Sequence, residues 1–323
     1  MYKVVSLFAG CGGCDQGIIG NFTFNGKYYN QLPFELVYAL DIDQKALNTH
    51  KLNFKCDNLV CKDICDVASE EIPNCDILIG GFPCQSFSTV NPLKDPFDAR
   101  ANLYKQMVRI VKDKRPKVFI AENVKGLISL HKGEIFKRVK ESFESAGYVL
   151  SYKLLNAANY GVPQKRERVI IVGFRNDLNV NFEFPKETNL DNWVPLSVAV
   201  PKLEIAEKKY YFSKRAVEGM KNAKPNMKRG LWQNLNEPCL TITSHLAKVS
   251  LNSRDPVLLV NPEKELYRRF TPREAARIQS FPENFIFAGS ESDAYRQIGN
   301  AVPPVLFWHV CNKVAQYLSE INQ

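Results

Sequence analysis

Five short runs of nearly continuous Val, Ile, Leu and Phe, at residues 4–8, 36–40, 76–79, 118–121 and 169–172, alternate with helix-like stretches at about 43–52, 102–114 and 133–146. A strand that is apolar at both parities is covered on both faces. The alternation therefore calls for βαβ units, giving an α/β fold with a mostly parallel sheet and helices on each side. Past Phe174 the pattern dissolves. Residues 175–262 are richer in Asn, Pro and Lys, with brief strand candidates at 239–243 and 257–260, which reads as a second, smaller, irregular domain. Regularity returns at Thr271-Pro272-Arg273-Glu274, where Thr as N-cap, Pro at the first position and Glu at the third start a helix, and 305–318 reads as a closing helix.

At 323 residues, 45% apolar and 24% charged, the chain can bury one large core or two smaller ones. No apolar run approaches the roughly eighteen residues of a membrane span, and Met1-Tyr2-Lys3 leads straight into the first strand run without a signal-peptide pattern. A cytoplasmic location is expected. Nine cysteines fit a reducing compartment better than a disulfide framework. Cys11-Gly-Gly-Cys14 has redox or zinc spacing, yet metal knuckles come as two matched pairs and one is present, so no metal is expected. The net charge of +9 favours a polyanionic partner. It is concentrated at 208–229, which carry eight Lys or Arg against Glu218 alone, with Tyr210, Tyr211 and Phe212 interleaved. From charge alone, that run is either a solvated surface or a polyanion contact.

The chemistry-bearing candidates sit at strand ends. Gly80-Gly81-Phe82-Pro83-Cys84-Gln85-Ser86-Phe87-Ser88 follows the run at 76–79 and puts a thiol at the sheet edge where open α/β folds bind ligands. Phe8-Ala9-Gly10-Cys11-Gly12-Gly13 allows close backbone approach to a ligand, but Asp15 stands where the dinucleotide pattern needs glycine, which disfavours nicotinamide and flavin cofactors. Asp41 suits a ribose diol and Asp63, next to Ile64, an adenine amino group, with a helix N-cap the alternative, above all for Asp43. Glu122 should share the sheet edge with Cys84 and, desolvated there, can hold a proton for a ring nitrogen. Arg166 and Arg168 alternate on extended chain, where a guanidinium near Cys84 would favour thiolate. His50, His131, His245 and His309 form no catalytic pattern, and no phosphate loop is present.

Together these residues resemble the DNA (cytosine-5)-methyltransferase family, in order and over nearly the whole chain apart from 175–262. Residues 8–13 resemble its cofactor loop, 81–88 its catalytic-cysteine motif, Glu122-Asn123-Val124 its ENV motif and 164–168 its Q-x-R-x-R motif. Residues 269–282 resemble its joining helix, and Gln297-Ile298-Gly299-Asn300-Ala301-Val302 its closing motif. The resemblance implies a Rossmann-like S-adenosylmethionine-dependent methyltransferase sheet over 1–189, a target-recognition domain over 190–262, and a bridging helix and C-terminal segment over 263–323. It places the cofactor against Phe8, Ala9, Gly10, Gly12, Gly13, Asp41, Ile42, Asp63, Ile64, Pro83, Leu103, Asn300, Ala301 and Val302. Cys84 would attack C6 of a flipped-out cytosine, Glu122 would bind N3 and the exocyclic amine, Arg168 would hold O2, and Arg166 would steady Glu122. Ser86, Ser88, Arg100, Gln164, Lys228, Arg229, Thr241 and Thr243 are the implied contacts to double-stranded DNA.

The family likeness further implies a monomeric prokaryotic modification enzyme, with or without a separate restriction endonuclease. The chain departs from the family pattern at Ile42, where an aromatic residue often meets adenine, and in the long first connection at 20–35. It also departs in the loop after Cys84, which carries Asn91-Pro92 and Asp95-Pro96 in place of glycine. Two rivals are an RNA cytosine methyltransferase and a catalytically silent binding module. Phe82-Pro83-Cys84 in place of Pro-Pro-Cys argues against the first, and retention of Cys84, Glu122 and Arg168 against the second.

Overall fold

The computed structural model describes residues 1–83, 103–222, 232–248 and 255–321. In chain order the elements of its first half are β1 (Tyr2–Leu7), α1 (Gly13–Ile19), β2 (Phe22–Phe24), β3 (Lys27–Tyr29), β4 (Phe34–Asp41), α2 (Gln44–Asn53), β5 (Leu59–Cys61), β6 (Ile77–Gly80), α3 (Leu103–Lys114), β7 (Val118–Val124), α4 (Gly126–Ser129), α5 (Glu134–Ser145) and β8 (Tyr148–Asn156). There follow β9 (Gln164–Lys165), β10 (Glu167–Arg175), α6 (Lys214–Lys221), β11 (Cys239–Leu240), β12 (Leu258–Asn261), β13 (Leu266–Arg268), α7 (Pro272–Ile278), α8 (Glu291–Asn300) and α9 (Pro304–Ile321).

Seven strands form one sheet in the order β5-β4-β1-β6-β7-β10-β8, in which β10 alone runs against the others. The chain begins at the centre, builds outward through β4 and β5, then returns to the other side of β1 with β6. That reversal opens a crevice at the carboxyl ends of β1, β4 and β6. The period of two along each strand divides the core into two layers. Val4, Ile77, Ile79, Val118, Ile120, Ile170 and Val172 join one layer with Ile18 of α1 and Val305, Phe307 and Val310 of α9. Val5, Leu7, Leu78, Phe119, Ala121, Val169 and Ile171 face Met107 and Ile110 of α3 and Val139 and Phe143 of α5. The mostly parallel, doubly covered sheet is as expected from the apolar runs.

Several boundaries differ by a few residues. The strand expected at 169–172 runs over Glu167–Arg175 because β7 and β8 pair with it on both sides. The long first connection is a hairpin of β2 and β3, turned by Asn25 and Gly26, both at positive φ. Thr271 caps α7 as expected, its hydroxyl accepting from Glu274 N while Glu274 accepts from Thr271 N. Glu274 also forms a buried bidentate pair with Arg268, a role the capping pattern does not reveal.

Among the described residues between β10 and α7 regular structure is sparse. β11 pairs in parallel with β9, and β12 pairs with β13. The apolar residues of this stretch do not make a core of their own size. Leu196, Cys239, Ile242 and Leu246 pack with Phe270, Ala276, Phe281, Tyr295 and Ile298 of the C-terminal segment, and Val217 and Val257 form a small separate cluster. No described helix is long and apolar enough to cross a membrane, and every described cysteine is free.

Candidate active site

The crevice holds a cavity of about 580 Å³, within the range of small-ligand sites. Its walls come from the β1–α1 loop, the end of β4, the turn after β5, the ends of β6 and β7, β9–β10, and the α8–α9 junction. Phe8, Ala9, Gly10, Gly13, Asp41, Ile42, Asp63, Ile64, Pro83, Leu103, Asn300, Ala301 and Val302 all line it, together with Glu122, Arg166 and Arg168. Gly12 does not. It sits at φ 93° against the ring of Phe54, so it shapes the loop from behind.

Asp41 ends β4 with its carboxylate turned into the loop, accepting from Gly10 N at 2.7 Å and from Asp43 N at 2.8 Å. Burial raises its pKa, against the pull of those two N–H donors. Asp43 is the N-cap of α2, accepting from Lys45 N and Ala46 N, and pairs with Arg296 at 3.1 Å. Ile42 is 67% exposed at the mouth, so it leaves one face of the cavity without a ring. Gly-rich backbone, a ribose-competent carboxylate and a half-apolar wall fit a nucleoside-bearing cofactor.

Glu122 lies near the end of β7, opposite Ile170 of β10. Its Oε2 stands 3.0 Å from where a Cβ on Gly81 would be, so glycine at 81 lets the carboxylate approach the chain three residues before Cys84. Arg168 Nε meets Glu122 Oε1 at 2.8 Å, both side chains being nearly buried. Burial raises the Glu122 pKa, and the two guanidiniums offset this only in part. Burial likewise lowers that of Arg168, with Glu122 opposing. Such a pair sets a carboxyl group whose burial favours its protonated form beside a cationic donor, the two groups a ring nitrogen and a carbonyl oxygen would need. Asn123 donates from Nδ2 to the Phe82 carbonyl at 2.9 Å and so fixes the chain just before Pro83.

Arg166, expected to steady Glu122, acts on its charge through space, opposing the rise that burial gives the carboxyl pKa, while its buried guanidinium donates to the carbonyls of Ile242, Gly299 and Ala301. Both arginines line the cavity, but Arg166 is tied by hydrogen bonds to the protein junction and Arg168 to Glu122. Gln164 is a correction. Expected at DNA, it is fully buried, donating to Gln279 Oε1 and Ile278 O while accepting from Ile242 N, with no group left for a nucleic acid. Thr241 and Thr243 also turn inward, their hydroxyls donating to Lys165 O and Asp255 Oδ1 at 2.8 and 2.6 Å. Cys84, Ser86, Ser88, Arg100, Lys228 and Arg229 lie outside the described residues. Within the basic run, Lys209 pairs with Glu291 and Lys221 with Glu265, which favours structural roles for those two.

Sequence reasoning missed Arg296, Gln297 and Gly299 as cavity lining. Proximity to Asn300 was the signal that could have found them. Cys11 is a buried core thiol donating toward Gln297 O, and burial pushes its pKa up to about 12.

Fold and cavity together define a Rossmann-like methyltransferase: a central parallel sheet, a glycine loop after β1, and an acid and an arginine at the opposite lip. The sequence profile of the C-5 cytosine-specific DNA methylases matches residues 2–316. The chain is 35% identical to the Type II methyltransferase M.FnuDI of Fusobacterium nucleatum, over 98% of this chain and 95% of that one. It is 34% identical to the Type II methyltransferase M.MthTI of Methanothermobacter thermautotrophicus, over 98% of each. The crystal structure of the S. pombe Dnmt2 methyltransferase shares the fold over the full length of both chains, with a TM-score of 0.76 at 18% identity. The protein belongs to the C-5 cytosine-specific DNA methylase family and is a DNA (cytosine-5)-methyltransferase.

Proposed function

We propose that this enzyme methylates C5 of a cytosine flipped out of a short, specific double-stranded DNA sequence, with S-adenosylmethionine as methyl donor and a transient Cys84–C6 bond. The observation that carries this reading is the Glu122–Arg168 pair, held against Gly81 on one wall of the cavity whose other wall is the glycine loop and Asp41. Phe8, Asp41, Asp63, Ile64 and the 300–302 segment would hold the nucleoside part of the cofactor, which when bound supplies an electrophilic methyl group. C5 of cytosine is a poor nucleophile. Addition of the Cys84 thiolate at C6 pushes an electron pair toward N3 and C5, and Glu122, its pKa raised by burial, donates its proton to N3 while Arg168 holds O2. C5, now nucleophilic, takes up the methyl group, after which loss of the C5 proton to solvent and expulsion of the Cys84 thiolate from C6 restore the aromatic ring. A base inside a duplex cannot reach this cavity, which makes flipping a requirement.

The same reading assigns 1–189 to catalysis and cofactor binding, 190–262 to target recognition, and 263–323 to a bridge that returns to the catalytic part. The Type II names of the relatives support a restriction-modification role, in which a cytoplasmic monomer protects host DNA from a separately acting endonuclease. The test is transfer of labelled methyl groups to unmethylated DNA and to tRNA, with the product mapped by bisulfite sequencing. Label on cytosines of one short DNA sequence is expected; label on tRNA alone, or on neither, would sink the proposal.

A further inference from the structure

Asp63 and Ile64, on the cavity wall, belong to the turn after β5, an edge strand of three residues. Within that turn Asp63 accepts from Cys65 N at 2.9 Å, and Val67 N reaches Ile64 O only at 3.4 Å. Firmer support comes from α3. Tyr104, Met107, Ile110 and Val111 form the apolar face of this helix, buried in the second core layer, and Arg109 flanks that stripe. Its Nη2 donates to Val67 O at 2.8 Å and to Ile64 O at 3.3 Å, its Nη1 to the buried hydroxyl of Ser69 at 2.8 Å, and its Nε to Gln106 Oε1 at 2.9 Å. Ser69 donates in turn to Asp113, one turn further along α3. A planar guanidinium with every nitrogen engaged is fixed in one orientation. The same helix begins at Leu103, itself cavity wall, about 9 Å along the axis from Arg109. Arg109 thus stands behind the wall and refers the turn to the helix.

Building on the proposed function, we infer that Arg109 is a positioning residue, which sets the turn after β5 so that the Asp63 carboxylate meets the exocyclic amine of the cofactor's adenine. Through that carboxylate it governs how well the cavity tells adenine from a ring with oxygen at the same place, since a carboxylate accepts from an amine and repels a carbonyl oxygen.

The experiment uses the full chain and two non-reacting probes, S-adenosylhomocysteine and S-inosylhomocysteine, which differ at that position of the purine. Wild type should bind the first at least about tenfold tighter, the size of one hydrogen bond to a charged group. In Arg109→Gln the adenosyl probe should bind about tenfold more weakly and the inosyl probe nearly as before, bringing the ratio within about twofold of one. KM for S-adenosylmethionine should rise in step, while kcat falls less than about threefold. Arg109→Lys, which keeps a donor to the carbonyls, should restore part of the ratio, and Ser69→Ala, which frees one arm of the guanidinium, should lower it about two- to threefold. Both probes bind the same folded molecules, so the ratio is independent of how much of a variant is folded; should Arg109→Gln not fold at all, Ser69→Ala carries the test. An unchanged ratio in the folded variants, whatever their melting temperature, would overturn the positioning role, as would a wild type that binds both probes alike. Wild type that binds neither probe would instead overturn the methyltransferase reading, and the role of Arg109 with it.

Discussion

The catalytic sheet and the stretch from 190 to 262 are held together by different means. In the sheet, each site residue stands at the end of a strand whose neighbours are fully buried, as Glu122 does after Val118, Phe119, Ile120 and Ala121. The later stretch has the short strands β11, β12 and the start of β13 nearby, and its apolar residues lean on α7 and α8 or, at Val217 and Val257, on one another. Its position is set by polar ties from Gln164, Arg166 and Arg268 to backbone carbonyls and amides. A continuous core fixes chemical groups to fractions of an ångström, whereas a surface tied at a few points can change its outward residues while keeping its attachment. Substitutions in the first region should therefore act on rate or on global stability, and those in the second on affinity and local order.

The sharpest break would come at Cys84→Ser, expected to lower methyl transfer more than about a thousandfold, because a serine hydroxyl stays protonated where a thiol ionises; retention of binding to DNA would confirm that only chemistry was lost. Next, Phe307→Ala, at the contact of α9 with α1, should cost about 3 to 5 kcal/mol in urea unfolding, as buried aromatic truncations do. Glu122→Gln should reduce kcat by about 10² to 10³ with a smaller change in KM. The raised Glu122 pKa fixes the sign of the pH effect: wild-type rate falls as pH rises through it, and the Gln variant loses that alkaline limb. Stability follows the same direction, the contribution of protonated Glu122 being lost as pH rises.

His309 supplies a test with the opposite sign. Burial lowers its pKa to about 4, so the neutral ring is favoured in the folded state and stability is lost as pH falls from about 6.5 toward 4. Wild type should lose about 2 kcal/mol between pH 8 and pH 5 from this group, a loss absent in His309→Leu. Smallest of all, Val217→Ala should cost about 1 kcal/mol and leave kcat unchanged, since its cluster holds few neighbours. Equal losses at Phe307 and Val217 would show that the two regions share one core, and the contrast drawn here would fail.

The apolar runs at both parities were enough to read a covered parallel sheet, and the residues following each run were enough to read Asp41 and Glu122 as edge residues, because strand period and strand ends are local properties. The sequence by itself thus determined the layer architecture and which residues come to the carboxyl edge. Long-range contact decided the rest. Arg166 and Arg168 look alike in the chain, yet one is consumed by the carbonyls of Ile242, Gly299 and Ala301 and the other by Glu122, and nothing local distinguishes them. Gln164 and Thr243 are polar in a segment expected to meet DNA, but their partners lie at Gln279 and Asp255, where only the folded chain brings them. Hydrogen-bond satisfaction is settled by whichever groups burial leaves together, so the strands could be read from neighbouring residues while the fate of each polar side chain waited for the tertiary fold.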